Sequence, residues 1–102
     1  MEENNSIIWS DIAMSDLDSI LEYISQNSSE ERSRYVLNGI KKAVNNIYPF
    51  PYKFPRELSY NRDDVRYTVK WRYKIVYKIF SNHVEIARVF HSAQNPSKLM
   101  QY

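Results

Sequence analysis

The stretch VRYTVKWRYKIVYKIFSNHVEIARVFHSAQNP, residues 65–96, decides how this chain folds. Cations alternate with aromatic and β-branched residues along it. Arg66 and Lys70 alternate with Val65, Tyr67, Val69 and Trp71. Arg72, Lys74 and Lys78 alternate with Tyr73, Ile75, Tyr77 and Ile79. Successive side chains of a strand point to opposite faces, so the pattern predicts three strands, near residues 65–70, 73–80 and 84–91. Ser81 and Asn82 supply a tight hairpin turn, because asparagine tolerates positive φ. Trp71 and Arg72 fall at the other turn, with weaker chemistry for it. One face, with Tyr67, Tyr73 and Tyr77, is expected to join a core, and the other to present a row of positive charge. Arg88 shares the parity of Val84, Ile86 and Phe90 and interrupts an apolar strand. Such a charge requires a partner or a path to water.

Upstream, Pro49, Pro51 and Pro55 punctuate an extended connector. Before it lie two amphipathic segments. Ala13, Leu17, Ile20, Leu21 and Ile24 form a single helical stripe after Ser10, an N-cap with Asp11 in the first turn. That helix should stop near Gln26 or Asn27. Ser28 and Glu31 then have capping-box spacing, and Val36, Ile40, Ala43, Val44 and Ile47 form a second stripe that Pro49 limits. So short a link predicts an antiparallel helix hairpin. Gly39, the one glycine in the chain, lies inside the second helix, where close packing explains it better than function does. Residues 6–9 form a short apolar run suited to a strand. The predicted order is β-α-α-β-β-β, an α+β arrangement with a helix hairpin packed on a small, mainly antiparallel sheet.

At 102 residues and 12.3 kDa the chain is expected to form a single domain, residues 1–102. It has no cysteine, which removes disulfides, thiolate zinc sites and a cysteine nucleophile. Two separated histidines offer no metal-ligand spacing, and one glycine cannot build a glycine-rich phosphate loop. No metal or cofactor is therefore expected. The opening MEENNSIIW has no apolar signal core and no run is long enough to span a membrane, so a cytoplasmic protein is expected. The net charge of +2 hides an asymmetry. Residues 1–47 hold eight acids and four bases, for −4, while residues 48–102 hold ten bases and four acids, for +6. The basic half is either a solvated sheet face or a surface for a negatively charged partner.

Three segments resemble the RelE/ParE superfamily of toxins from bacterial type II toxin–antitoxin modules. The opening IIWSDIAMSDLDSILEYI is similar to the family's strand-then-helix start, through Trp9, Ser10, Ala13, Asp16, Leu17, Ile20, Tyr23 and Ile24. YKIVYKI, residues 73–79, resembles its Y-R-I-x-Y strand, with Lys74 where arginine is commoner. VEIARVFHSAQNP resembles its closing strand and the H-x-R-Q-N-P variant that follows. The resemblance runs from about Ile7 to Leu99. It implies a RelE/ParE-like fold, a plasmid-stabilisation type of toxin, and a cognate antitoxin encoded nearby that forms a hetero-oligomer with it. It also implies one of two targets. RelE-like members cut messenger RNA on the ribosome, and ParE-like members poison DNA gyrase. Fold does not choose between them; the site does.

RNA cleavage requires a base, an acid and cations around one phosphate. By the resemblance, His91 is the acid–base candidate, although a histidine at a strand end is equally a hydrogen-bonded structural residue. Lys74 and Arg88 are the candidates for phosphate or target binding, with Arg66 and Arg72 behind them. His83 reads as surface. Two departures weigh against the nuclease reading: Ala93 stands where the variant carries arginine, and Glu57 is displaced by one from the position of the glutamate base in P-E-x-L. A one-residue shift in extended chain sends a side chain to the other side. The expectation is therefore a ParE-like toxin without hydrolytic chemistry. A RelE-like endoribonuclease is the alternative, and an antitoxin-binding module that has lost toxicity is a second.

Overall fold

The computed structural model describes residues 6–91. Ala93 and the AQNP segment lie outside them. The chain runs β1 (Ile7–Trp9), α1 (Asp11–Asn27), α2 (Glu30–Asn45), β2 (Val65–Lys70), β3 (Tyr73–Ile79) and β4 (Val84–His91). Two helices pack on a four-stranded mixed sheet of order β1-β4-β3-β2. β1 is parallel to β4, and the other pairs are antiparallel.

The helices begin where side-chain caps allow. Ser10 is extended, its hydroxyl accepts the Ala13 N–H at 3.0 Å, and the same hydroxyl donates to Ala87 O at 3.1 Å. A cap of this kind contributes about 1 kcal/mol, and here it also ties α1 to β4. The second helix starts one residue later than the capping-box spacing suggests. Ser29, not Ser28, accepts the Arg32 N–H at 3.0 Å. Ser28 is already used at the end of α1, where its N–H donates to Ile24 O. Ser33 is buried between the helices and donates to Leu21 O at 3.0 Å.

Both apolar stripes face one core. Ala13, Val36, Ile40, Val44 and Ile47 meet Ile75, Tyr77, Ile79, Val84, Ile86 and Val89, with Leu17, Ile20, Leu21 and Ile24 packed against them. Each fully buried aliphatic side chain contributes roughly 1.5–3 kcal/mol. The connector closes one end of this core. Tyr77, wholly buried, donates its hydroxyl to Pro51 O at 2.6 Å, and Phe54 meets its ring edge-on.

The sheet does not sort charge onto one face. The two-residue turn at Trp71 and Arg72 pairs Lys70 with Tyr73, Thr68 with Ile75 and Arg66 with Tyr77. Even-numbered residues of β2 therefore share the helix-side face with odd-numbered residues of β3. Arg66 and Lys70 lie on that face, while Lys74 and Lys78 lie on the outer one. Tyr67, expected in the core, instead pairs with Val76 and joins Val65, Phe90, Tyr60 and Ala87 in a small outer cluster. A second shift comes from an irregularity between Val76 and Tyr77, where Ala87 is the extra residue of β4. This bulge keeps Ile86 and Val89 both inward and turns Arg88 outward. Positive φ falls at Asn61 and Trp71 rather than at Asn82.

Candidate functional site

The five residues singled out in the sequence do not converge. Arg66 clamps the connector. Its guanidinium donates to Asp63 O at 2.9 Å, Tyr52 O at 3.0 Å and Phe54 O at 2.9 Å, pairs with the Asp63 carboxylate at 2.8 Å, and lies over the Tyr52 ring. That pattern uses the fixed fork of arginine donors. The connector in turn lies along the β2 edge, where Glu57 N–H donates to Val65 O and Tyr67 N–H donates to Pro55 O. This covers part of an otherwise open strand.

Lys74 lies on the outer face, 2.6 Å from Glu57 Oε1 and over the Tyr67 ring. Glu57 is only 4% exposed, and its other oxygen accepts from the Ser59 hydroxyl at 2.7 Å and the Ser59 N–H at 3.3 Å. Burial pushes the Glu57 carboxyl up, but the Lys74 ammonium and Ser59 outweigh it and hold it below its ordinary value. Beside it, burial pushes the Tyr60 hydroxyl up to about 12, against a smaller opposing pull from Arg88.

Arg88 sits at the sheet edge beyond the end of β1. It forms a two-point pair with Asp16 of α1, Nε to Oδ2 at 2.8 Å and Nη2 to Oδ1 at 3.1 Å, and packs over the Phe90 ring. Asp16 Oδ2 also accepts the Val89 N–H at 2.9 Å. One carboxylate thus supplies the partner that Arg88 required and caps a strand edge that β1 is too short to cover.

Grooves open on this side of the molecule. One of about 710 Å³ runs between α1 and the end of β4, past Asp16, Ile20, Arg88 and His91. Another of about 1160 Å³ lies between the helix turn and the β2–β3 turn, past Arg32, Tyr35, Trp71 and Arg72. They share Tyr23, Ile24 and Tyr73. His91 meets the Tyr73 ring edge-on at 5.3 Å. The structure thus brings Arg88, His91 and Arg72 to adjoining grooves, with Arg66 and Lys74 outside both. His83 is elsewhere, stacked on Phe80. Among the described residues, no three His, Asp or Glu side chains gather as a metal site would require.

Three pairings were not foreseen in the sequence. Asp16, named there only as part of the opening motif, is the partner that Arg88 needed. Glu57, weighed there only as a displaced glutamate base, is the partner of Lys74. The third is an exposed ring pair: Trp71 stacks on Tyr35 with centroids 5.3 Å apart. A Cβ on Gly39 would collide with the Trp71 ring, so only glycine leaves the indole its seat. Trp71 has φ 55°, a left-handed conformation costing a bulky residue about 1 kcal/mol or more. Glycine inside a helix costs about another 1 kcal/mol.

Residues 7–96 match a family model described as the ParE toxin of the type II toxin–antitoxin system parDE. No curated protein matches the chain. Among solved structures, it is similar to a chain of the chromosomal ParDE TA system from P. aeruginosa, with a TM-score of 0.72 and 18% identity over 84% of this chain and 94% of that one. At that identity the likeness speaks for the fold.

Proposed function

The chain belongs to the ParE toxin family of type II toxin–antitoxin systems, and we propose that it acts by binding and inhibiting DNA gyrase without hydrolytic chemistry. One observation carries this reading. Arg66 lies on the helix-side face and Lys74 and Arg88 on the outer one, and each is paired with a carboxylate of its own chain. A ribonuclease needs its acid, base and cations around one phosphate. Cations that already neutralise Asp63, Glu57 and Asp16 serve the fold first. Glu57 points to the same conclusion: a buried carboxylate held ionised by Lys74 is poorly placed to take a proton from a substrate hydroxyl.

Family membership implies a cognate antitoxin. In this reading it lays an amphipathic, partly acidic segment into the grooves beside α1 and the β2–β3 turn and orders as it binds. Arg72 and His91 then contact that segment rather than a phosphate. The two claims are tested by expressing the chain without antitoxin. A DNA-damage response with intact transcripts, and inhibition of gyrase supercoiling by purified protein, are expected. Rapid transcript cleavage at codon boundaries would overturn the proposal in favour of the endoribonuclease, and harmless expression of folded protein would point to a binding module that has lost toxicity.

A further inference from the structure

We infer that the Trp71–Tyr35 ring pair is the anchor of the partner-binding groove, taking an apolar side chain of an acidic antitoxin segment whose carboxylates turn to Arg72 and Arg32. This rests on the reading that an antitoxin binds here, and it names where the hold is made.

Three local rules are broken at this one place. A two-residue hairpin turn needing positive φ is normally filled by glycine or asparagine, yet Trp71 occupies it. A helix interior avoids glycine, yet Gly39 lies in α2 directly under the indole. Large rings normally turn inward, yet Trp71 is 45% and Tyr35 61% exposed. Each feature weakens the free chain, and all three serve to hold two stacked rings against a groove wall. Local conflicts with no internal gain mark functional positions, and rigid aromatic platforms are the usual hot spots of interfaces.

Charge selects the occupant. Arg32 and Arg72 line the groove against the single acid Glu31, and the groove leads on toward Arg88 and His91. A nucleic acid would also meet cations and rings here. Its phosphates, one on every nucleotide, would however run beside a helix layer in which Asp11–Asn27 and Glu30–Asn45 hold six acids against four bases. A peptide with a few carboxylates around an apolar anchor meets the same cations with fewer charges, and so with less of that repulsion.

The test uses the full chain with Trp9→Phe, which leaves Trp71 as the one indole, titrated with the purified product of the neighbouring reading frame. Binding should shift Trp71 emission to the blue and protect it from acrylamide. Trp71→Asn, which suits positive φ, and Tyr35→Ala should each stay folded and bind about thirtyfold more weakly or worse. Arg72→Glu should weaken binding and flatten its salt dependence. A complex that leaves Trp71 quenching unchanged, or unaltered affinity of Trp71→Asn, would overturn the anchor and leave the antitoxin reading standing. No complex at all would overturn both. Protection of Trp71 by a single-stranded RNA but not by the protein would replace the peptide with nucleic acid.

Discussion

Asp16 and Arg88 stand 72 positions apart in the chain and meet through two parallel hydrogen bonds of 2.8 and 3.1 Å. The same carboxylate accepts the Val89 N–H, so α1 is fastened to β4 at the point where β1 gives out. Both side chains are largely enclosed, at 19% and 16% exposure, which makes the pair more than a surface contact. Asp16→Ala should therefore lower unfolding stability by about 3 kcal/mol, since it strands a guanidinium and a backbone donor together. Asp16→Asn, which can still accept the Val89 N–H, should lose less. Urea midpoints of the two variants check the order.

Lys74 and Glu57 offer a sharper separation of structure from catalysis. Lys74→Met leaves the Glu57 carboxylate buried without its cation and should cost about 3 kcal/mol. Adding Glu57→Gln should restore much of that, because the charge that needed a partner is gone. If Lys74 served a phosphate instead, the double variant would be stable yet non-toxic. Growth arrest by the double variant, read beside its melting temperature, decides.

The same carboxyl sets an acid limit. Burial raises the Glu57 pKa, and Lys74 and Ser59 bring it below its ordinary 4.5. A carboxyl with a depressed folded-state pKa contributes stability that is present above the unfolded value and is lost as pH falls through the folded one. Stability should thus decline below about pH 4.5, and Glu57→Gln should flatten that decline. Urea unfolding between neutral pH and pH 3 measures both slopes.

His91 bears on the target. If the chain inhibits gyrase, His91→Ala removes a ring packed on Tyr73 and costs a modest part of stability without abolishing growth arrest. A folded His91→Ala variant that no longer arrests growth would return the histidine to a chemical role.

Gly39→Ala tests the seat of Trp71. Alanine gains about 1 kcal/mol of helix propensity, but its methyl would collide with the indole. The ring should lift from α2, with a red shift of Trp71 emission and little net change in melting temperature. An unshifted emission would show that the ring is not lodged on Gly39.

Much of this was legible from local pattern. The strand bounds of β2 and β4, the Ser10 cap, both helical stripes and the close contact at Gly39 follow from periodicity and from residues a few positions apart. The cap of α2 was off by one because Ser28 had a prior engagement with α1, which spacing alone does not reveal. The expected row of cations is split between the two faces, Arg66 and Lys70 on the helix side and Lys74, Lys78 and Arg88 on the outer side. Parity holds only within one strand: a two-residue turn exchanges odd for even between β2 and β3, and the bulge at Val76 and Tyr77 exchanges it again within β4.

The chain's order of residues determined the elements, their apolar faces, and the excess of positive charge after residue 47, because these depend on neighbours within a turn or two of backbone. Which cation met which acid was decided only on folding. Arg66 found Asp63 nearby, but Lys74 found Glu57 across the outer sheet face, and Arg88 found Asp16 across the whole chain. Charge pairing acts over a few ångströms of space regardless of separation in sequence, so these ion pairs and the Trp71–Tyr35 platform exist only once strand register and helix docking are set.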